Sequence, residues 1–366
     1  MQATLFFNGE IIMLMNYLKK YYKLSRERSI QGHLSTGRQL FEMTLLYFLK
    51  KIPPGCYHSA HMWKKDKNWK YKFGWLSYSN YRKRLNQYNP RPYQKISMNK
   101  LSEKALLSLF NVQTPEFYGW LHSDYGRDMH GRTLCNVSDL SRLLLEQEID
   151  KFCIKRLEGC GGKGFHALEV IKNEKDLAVR GLFSKQIISI ADYFNSIHHP
   201  DEGLILESYI SQHKIMSGLN PSSVNTVRAF VVCPFGKRPL LKGAMVRIGG
   251  TGSLVDNTSS GGLASVVNIM TGEISYAQYK PSDLEKYEKH PDHGAQIMGT
   301  IIPFWPQVIK TVESTLPLFP HVHFAGFDVA ISDNGPVVLE LNLEPSNLGL
   351  MRIEMNMDEI IPARFQ

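Results

Sequence analysis

The sequence predicts an α+β (mixed α/β) chain, with antiparallel sheets predominating beyond a helical N-terminal region. Three observations carry this reading. Gly326–Ile331 and Gly335–Asn342 are apolar runs joined by Ser332-Asp-Asn-Gly335, a hairpin signal. Thr226–Cys233 and Leu240–Arg247 alternate on either side of the turn Pro234-Phe-Gly236, as antiparallel strands do. Residues 11–50 instead carry a helical period, with Leu14, Tyr17, Leu18 and Tyr21 on one face and Leu40, Met43, Thr44 and Tyr47 on another.

That helical stretch ends at Pro53-Pro54-Gly55. Residues 56–95 are aromatic, basic and too weakly patterned for elements to be assigned. Ser97–Phe110 reads as a helix and Val112–Tyr118 as a strand. A helix over 137–150 takes Ser138 as its N-cap. Residues 152–170 read as a strand, a glycine-rich loop and a second strand, and Gly203–Ile210 as a strand running into a linker. Residues 295–316 predict a long amphipathic helix interrupted near Pro303 and Pro306.

At 366 residues, 43% hydrophobic and 21% charged, the chain is globular and long enough for two or three compact units. Its longest early apolar run, Ile11–Met15, is far too short to span a bilayer, and no small-residue cleavage site follows it. Five cysteines at scattered spacings make neither a disulfide framework nor a zinc site, so a reducing, cytoplasmic setting is expected. Charge is uneven: residues 1–104 hold 20 Lys and Arg against 5 Asp and Glu, whereas the remainder holds 23 against 29. From Tyr57 to Tyr93, tyrosines and tryptophans interleave with the bases. That mixture suits a solvated helical region packed on the rest of the chain, an anionic membrane surface or nucleic acid. No nucleic-acid-binding module is recognisable, so nucleic acid is not expected as a partner. A peripheral position at the inner face of a membrane is the functional reading of this charge.

Glu340 and Asn342 lie two apart on one strand and so face the same way, and Asp328 sits on the antiparallel partner within cross-strand reach. Two carboxylates and an amide oxygen are hard donors of the kind Mg²⁺ (or Mn²⁺) takes while keeping room for water and phosphate. A solvent-exposed pair of acids at a sheet edge is the alternative. Upstream, Phe152-Cys-Ile-Lys155 runs into Arg156-Leu-Glu-Gly159-Cys-Gly161-Gly162-Lys163-Gly164-Phe165. Four glycines within six positions let backbone N–H groups fold over phosphate oxygens. The spacing is neither a Walker A loop nor a dinucleotide fingerprint. Gly203-Leu-Ile-Leu-Glu207-Ser-Tyr209-Ile210 then supplies an acid followed by linker backbone of the kind that hydrogen-bonds an adenine edge.

Strand lysine, glycine flap, strand glutamate with its linker, then Asp…Glu-x-Asn: in that order the chain resembles the ATP-grasp superfamily. Within it the chain is similar to the sugar-transfer-associated ATP-grasp family, with ribosomal-protein glutamate ligases as relatives. The residues that carry the resemblance run from about Lys100 to Leu350. They include Asn220–Arg228, Met245-Val-Arg247, Val255-Asp-Asn257 with Gly261-Gly262, His290–Gly294 and Ile302–Trp305.

The resemblance implies two α+β subdomains clamping ATP, 96–210 with the glycine flap and 211–350 with the metal site. Together they make a catalytic domain, 96–350, between a basic region, 1–95, and a tail, 351–366. ATP contacts are implied for Lys100, Lys155, Gly161, Gly162, Gly164, Glu207, Tyr209 and Ile210, and metal contacts for Asp328, Glu340 and Asn342. Asn225, Asp256, Asn257, Gly261 and Gly262 fall on the substrate side. Arg228 and Arg247 are the implied catalytic cations, because many relatives place an arginine just before the first metal acid and this chain has Phe324-Ala-Gly326-Phe there. The implied activity is ATP- and Mg²⁺-dependent ligation of a carboxylate to an amine, with small-molecule or sugar substrates, in surface-polysaccharide or sugar-conjugate biosynthesis. Association with a membrane or a glycosyltransferase goes with it. A kinase acting on a hydroxyl and a non-catalytic nucleotide-binding recruitment module are the other outcomes open to such a chain.

Overall fold

The helical period of the N-terminal region is realised as α1 (Gln2–Ile30) and α2 (Thr36–Lys50). The computed structural model describes residues 2–159, 162, 164–172, 177–197, 199–253, 256 and 261–363, with residues 2–14 as backbone alone. Gly32, at φ +86°, makes the turn between the two helices, and Ser35 caps α2 by accepting from the Arg38 N–H. α3 (Pro54–Ser59), α4 (Trp69–Phe73) and α5 (Tyr78–Tyr88) occupy the weakly patterned stretch. Its aromatics form a core, with Tyr57, Trp63, Tyr71, Trp75 and Tyr81 all buried. Trp63 and Trp75 are therefore packing residues and not part of an interfacial belt.

Two compact units are present: Met1–Gln87 with Lys280–Leu284 and Ser346–Gln366, and Tyr88–Tyr279 with Glu285–Pro345. The expected boundaries at 95/96 and 350/351 group the chain differently. In the second unit, α6 (Arg91–Met98) and α7 (Lys100–Leu109) stand where one helix was expected, because Asn99 leaves the helical region and caps α7 by accepting from Ser102 N–H. β1 (Phe117–Leu121) starts later than the expected strand, and β2 (Arg127–Asp128) pairs with it. α8 (Val137–Glu146) is capped by Asn136, one of two closely spaced cap-competent positions, and not by Ser138. β3 (Lys151–Arg156), β4 (His166–Lys172), β5 (Leu177–Gly181), β6 (Ile187–Ser189), α9 (Ile190–Ser196) and β7 (Leu204–Ser208) follow. The seven strands form one antiparallel sheet in the order β2-β1-β7-β3-β4-β5-β6. Leu140, Leu143 and Leu144 of α8 and Ile190 and Tyr193 of α9 share its core.

α10 (Lys214–Leu219) leads to β8 (Thr226–Val232), β9 (Leu240–Ile248), β10 (Leu263–Val267) and β11 (Ile274–Gln278). α11 (Trp305–Thr315), β12 (Phe324–Ser332) and β13 (Gly335–Asn342) complete a six-stranded antiparallel sheet in the order β11-β10-β9-β8-β12-β13. α11 is shorter than the helix expected over 295–316. Phe304, at φ +56°, turns the chain just before it, and Pro306 is tolerated in its first turn because that N–H has no helical partner. Trp305, Val308 and Val312 bury this helix against the core residues of β8 and β12. β8 is buried along its whole length, as a central strand covered on both faces must be. Asn89 is fully buried and ties this sheet together, donating to Phe324 O and Leu343 O while accepting from His323 N and Phe324 N.

α12 (Asn347–Arg352) and α13 (Met357–Ile360) return the chain to the first unit. Between them Glu354 joins His61 at 2.7 Å and Lys67 at 2.8 Å, and pairs with Lys64 as well. Burial pushes the Glu354 carboxyl up, but the bond and charge of His61 and the two ammonium groups outweigh it and hold the carboxyl far below the usual carboxylate range.

Candidate nucleotide and metal site

On the six-stranded sheet, register sets the expected site residues side by side. Asp328 on β12 stands opposite Arg228 on β8 and opposite Glu340 on β13, while Asn342 faces Gly326. Arg228 donates through Nε to one Asp328 oxygen and through Nη2 to the other at 2.9 Å, and Arg247 Nη2 reaches the same carboxylate at 2.8 Å. Gly326 is what lets Arg228 lie across β12, since a Cβ there would stand 3.1 Å from Arg228 Cδ. The chain thus supplies two guanidiniums from the neighbouring strands β8 and β9. Burial raises the Asp328 carboxyl, but Arg228 and Arg247 outweigh it and hold the group below its ordinary value.

Asp256 stands behind this pair, 3.5 Å from Arg247, and accepts from the Thr226 N–H at 2.9 Å and from its hydroxyl. Here burial wins over Arg247 and Thr226, and the Asp256 carboxyl is lifted above its ordinary value. The difference from Asp328 is one guanidinium at 3.5 Å against two in direct contact. Glu340 and Asn342 remain partly exposed, and Asn342 Oδ1 accepts from Glu344 N at 3.0 Å.

On the seven-stranded sheet, Lys155 of β3 and Glu207 of the adjoining β7 meet at 2.5 Å. Lys104 of α7 takes the other oxygen of Glu207 at 2.6 Å, so this carboxylate is clasped by two ammonium groups. Burial raises Glu207, yet the lysines outweigh it and keep it below its ordinary value. The two lysines part company. Burial lowers both, but Glu207 prevails at Lys155 and raises it, whereas Lys104 stays lowered.

α7 presents Lys100, Glu103 and Lys104 at i, i+3 and i+4, and so along one face. Lys100 Nζ donates to Gly159 O at 3.0 Å and lies 3.9 Å from Glu340. Glu103 Oε1 accepts from Leu341 N at 3.0 Å, between the two expected metal ligands of β13, while Oε2 is buried with no hydrogen-bond partner. Sequence reasoning missed Glu103 and Lys104. The signal was their helical spacing from Lys100, which is visible once a helix is placed there.

The remaining expected residues divide. Gly162 and Gly164 both adopt φ +72°, the left-handed conformation that favours glycine; Gly161 lies outside the described residues. Tyr209 and Ile210 follow β7 half-buried. Asn225 is fully buried, and its amide donates to Met216 O and Asn220 O, both at 2.8 Å, and accepts from Gly249 N at 3.3 Å. It clamps loops and presents no free polar atom. Gly261 is exposed at φ +87° and Gly262 is buried just before β10; Asn257 lies outside the described residues. His290 donates through Nε2 to Gly249 O, 3.1 Å away, and stacks on His293 at 4.0 Å. Among the described residues no group of three or more His, Cys, Asp or Glu is placed to hold a metal unaided. Asp328 and Glu340 need Asn342, water or phosphate to complete a shell.

A family model described as sugar-transfer associated ATP-grasp matches residues 80–362. The chain belongs to that family. It has the ATP-grasp fold, whose two α+β lobes are here the seven-stranded sheet with the glycine loop and the six-stranded sheet with the acids. No curated protein matches it. Among solved structures it is similar to an N5-carboxyaminoimidazole synthetase from Staphylococcus aureus complexed with ADP, at 11% identity and TM-score 0.40 over 75% of this chain and 54% of that one. It is also similar to D-alanyl-alanine synthetase A from Vibrio cholerae, at 10% identity and TM-score 0.41 over 72% and 60%. A carboxyaminoimidazole ribonucleotide synthase from Aspergillus clavatus complexed with ATP matches at 9% identity and TM-score 0.43 over 74% and 53%. This ATP-grasp chain thus spans 53–60% of the length of those proteins.

Proposed function

We propose that the chain is an ATP- and Mg²⁺-dependent ligase that joins a carboxylate to an amine through an acyl phosphate. What supports this reading above all is Lys100, which touches both Gly159 of the glycine loop and Glu340 of the acid set, and so links the lysine-rich and the acidic halves of the site. The donor chemistry of Asp328, Glu340 and Asn342 fits Mg²⁺ or Mn²⁺, hard cations that take one or two carboxylates and leave their other positions to water and phosphate. Bound MgATP supplies the phosphoryl group that turns a carboxylate oxygen into a good leaving group.

This chain's own residues do the rest. Lys100 and Lys155 offset phosphate charge, and the backbone of Gly161, Gly162 and Gly164 covers the phosphates and keeps water from the activated carboxyl group. Glu207, Tyr209 and Ile210 take the adenosine end. Arg247 and Arg228 face the charge that develops on the transferred phosphoryl group and then on the tetrahedral oxyanion. Asp256 orients Arg247, and the segment through Asn257, Gly261 and Gly262 borders the acceptor. The setting we infer is the making of sugar conjugates or a surface polysaccharide, a reading supported by the sugar-transfer association in the family's description.

The test is product stoichiometry with ATP, Mg²⁺ and panels of carboxylates and amines. ADP, free phosphate and amide in equal amounts are expected. ADP with a phosphorylated hydroxyl and no free phosphate makes the chain a kinase. Tight ATP binding with no turnover on any panel makes it a recruitment module.

A further inference from the structure

α2 is built inside out. Its inward positions are Gln39, Glu42, Met43 and Leu46, and Glu42 is spent on Tyr57 at 2.8 Å, Lys72 at 2.6 Å and Arg38 at 2.8 Å. Its outward stripe is Leu40, Phe41, Thr44, Tyr47 and Phe48, the i, i+1, i+4, i+7, i+8 spacing of an apolar helix face. Such a face ordinarily points into a core. Here Phe41 is 56% exposed and Phe48 69%. α1 repeats the pattern, with Met15, Leu18 and Tyr22 exposed at i, i+3 and i+7. The two helices pack against each other, with Gln39 of α2 donating to Ser25 O of α1 at 3.0 Å. An exposed apolar stripe on a helix that buries Gln39 and Glu42 marks an interaction site.

Charge identifies what covers it. Lys19, Lys20, Lys23, Arg26 and Arg38 are exposed on the same two helices. Between residues 15 and 51 the acids are Glu42, which is buried, and Glu27, which Lys23 approaches at 3.9 Å. A second copy would set like charge against like. An anionic bilayer surface matches both features, because acyl chains accept the aliphatic and aromatic side chains while headgroup phosphates accept the ammonium and guanidinium groups. Among the described residues no helix is long and apolar enough to cross a membrane, so the hairpin would lie on the bilayer and not span it.

We propose that the α1–α2 face docks on the surface of a lipid bilayer rich in anionic headgroups. The proposal does not depend on the reading of the nucleotide site. Co-sedimentation of the full chain with phosphatidylcholine vesicles, with and without phosphatidylglycerol, tests it. The chain binds the anionic vesicles at low salt and not the neutral ones. Phe41→Ser with Phe48→Ser, both at exposed positions, lowers the partition coefficient about tenfold or more, and Lys19→Glu with Lys23→Glu does so as well. Should the serine pair fail to fold, Phe48→Trp reads the contact directly: the emission of the introduced indole, taken as the difference from wild type, shifts blue on anionic vesicles and is quenched by brominated acyl chains. No binding to anionic vesicles at low salt overturns the proposal, as does unchanged binding by the serine pair or an unshifted difference emission from the bound Phe48→Trp variant. A dimer that light scattering detects and the serine pair dissociates gives the face to a second copy instead. Binding of RNA in preference to the vesicles overturns it too.

Discussion

Glu103 joins the helix that carries Lys100 to the strand that carries Glu340 and Asn342, through one bond to Leu341 N. Burial, with Glu340 adding to it, raises its carboxyl well above the ordinary value, against the Leu341 N–H and the lysines. A raised folded pKa means that its contribution to stability is complete below the unfolded value of about 4.3 and declines as pH rises toward the folded one. Glu103→Gln keeps the acceptor and cannot ionise, so it should gain stability relative to wild type as pH rises above the unfolded value of about 4.3. Glu103→Ala loses the acceptor and leaves a cavity, at a cost of about 2–4 kcal/mol. Denaturant titrations across pH measure both, and a Gln deficit that widens with pH contradicts the direction. The two acids proposed to hold the metal separate similarly. Glu340→Gln should abolish ATP turnover and leave the melting temperature unchanged, because Glu340 is partly exposed. Asp328→Asn should abolish turnover and also lower stability by about 3–5 kcal/mol, since it strips the charge from between two buried guanidiniums. Turnover within about threefold of wild type in either variant, at saturating Mg²⁺, removes the site assignment.

At the scale of elements, the glycine loop and α7 work together. Lys100 at the start of α7 holds the carbonyl of Gly159, so the position of the loop is coupled to that of the helix. Adding ATP with Mg²⁺ should slow exchange of the Gly162 and Gly164 amides, and Lys100→Met should weaken that protection. Equal exchange rates with and without nucleotide make the loop a fixed turn and end its covering role. The two hairpins, β8–β9 and β12–β13, are legible in the sequence because turn residues and apolar alternation fall within one short window. The pairing of Asp328 with Glu340 follows from that register. What is not legible depends on distant packing. Pro303 marks an interruption in 295–316, but only bridges to Glu273 and Lys289 decide that the stretch before Phe304 is not helical, and nothing near Glu103 says that its oxygen meets a strand far along the chain. The tryptophans misled for the same reason, since an aromatic among lysines reads as an interface until a core is found for it, as it is for Trp63 and Trp75.

Across the whole molecule, the first unit is assembled from both ends of the chain and a short middle piece, Lys280–Leu284. No composition signal announces this, because the 346–366 segment is ordinary in sequence and gains its role from what it touches. Glu354 meets His61, Lys64 and Lys67; Asp358 pairs with Arg84; and Asn356 packs so close to Gly74 that a Cβ there would stand 2.5 Å from its side chain. His61 reaches the middle piece as well, through Pro281 O at 2.8 Å. His61 is therefore the point where all three segments are tied, and Glu354 is its partner from the C-terminal one. Because the folded pKa of Glu354 is depressed, the stability it contributes is present above the unfolded value of about 4.3 and is lost as pH falls through the folded value. Glu354→Gln should cost about 1–3 kcal/mol at neutral pH, and the gap to wild type should narrow as pH drops below about 4. Deleting 346–366 removes the Asp358 and Asn356 contacts too, and should expose the helices of residues 15–87 to protease while ATP binding, which we propose for the second unit, persists. Calorimetry of the point variant and timed proteolysis of the truncated chain check the two statements separately. A truncated chain whose N-terminal helices resist protease as well as wild type would mean that the aromatic core around Trp75 and Tyr57 holds that unit without its C-terminal staple.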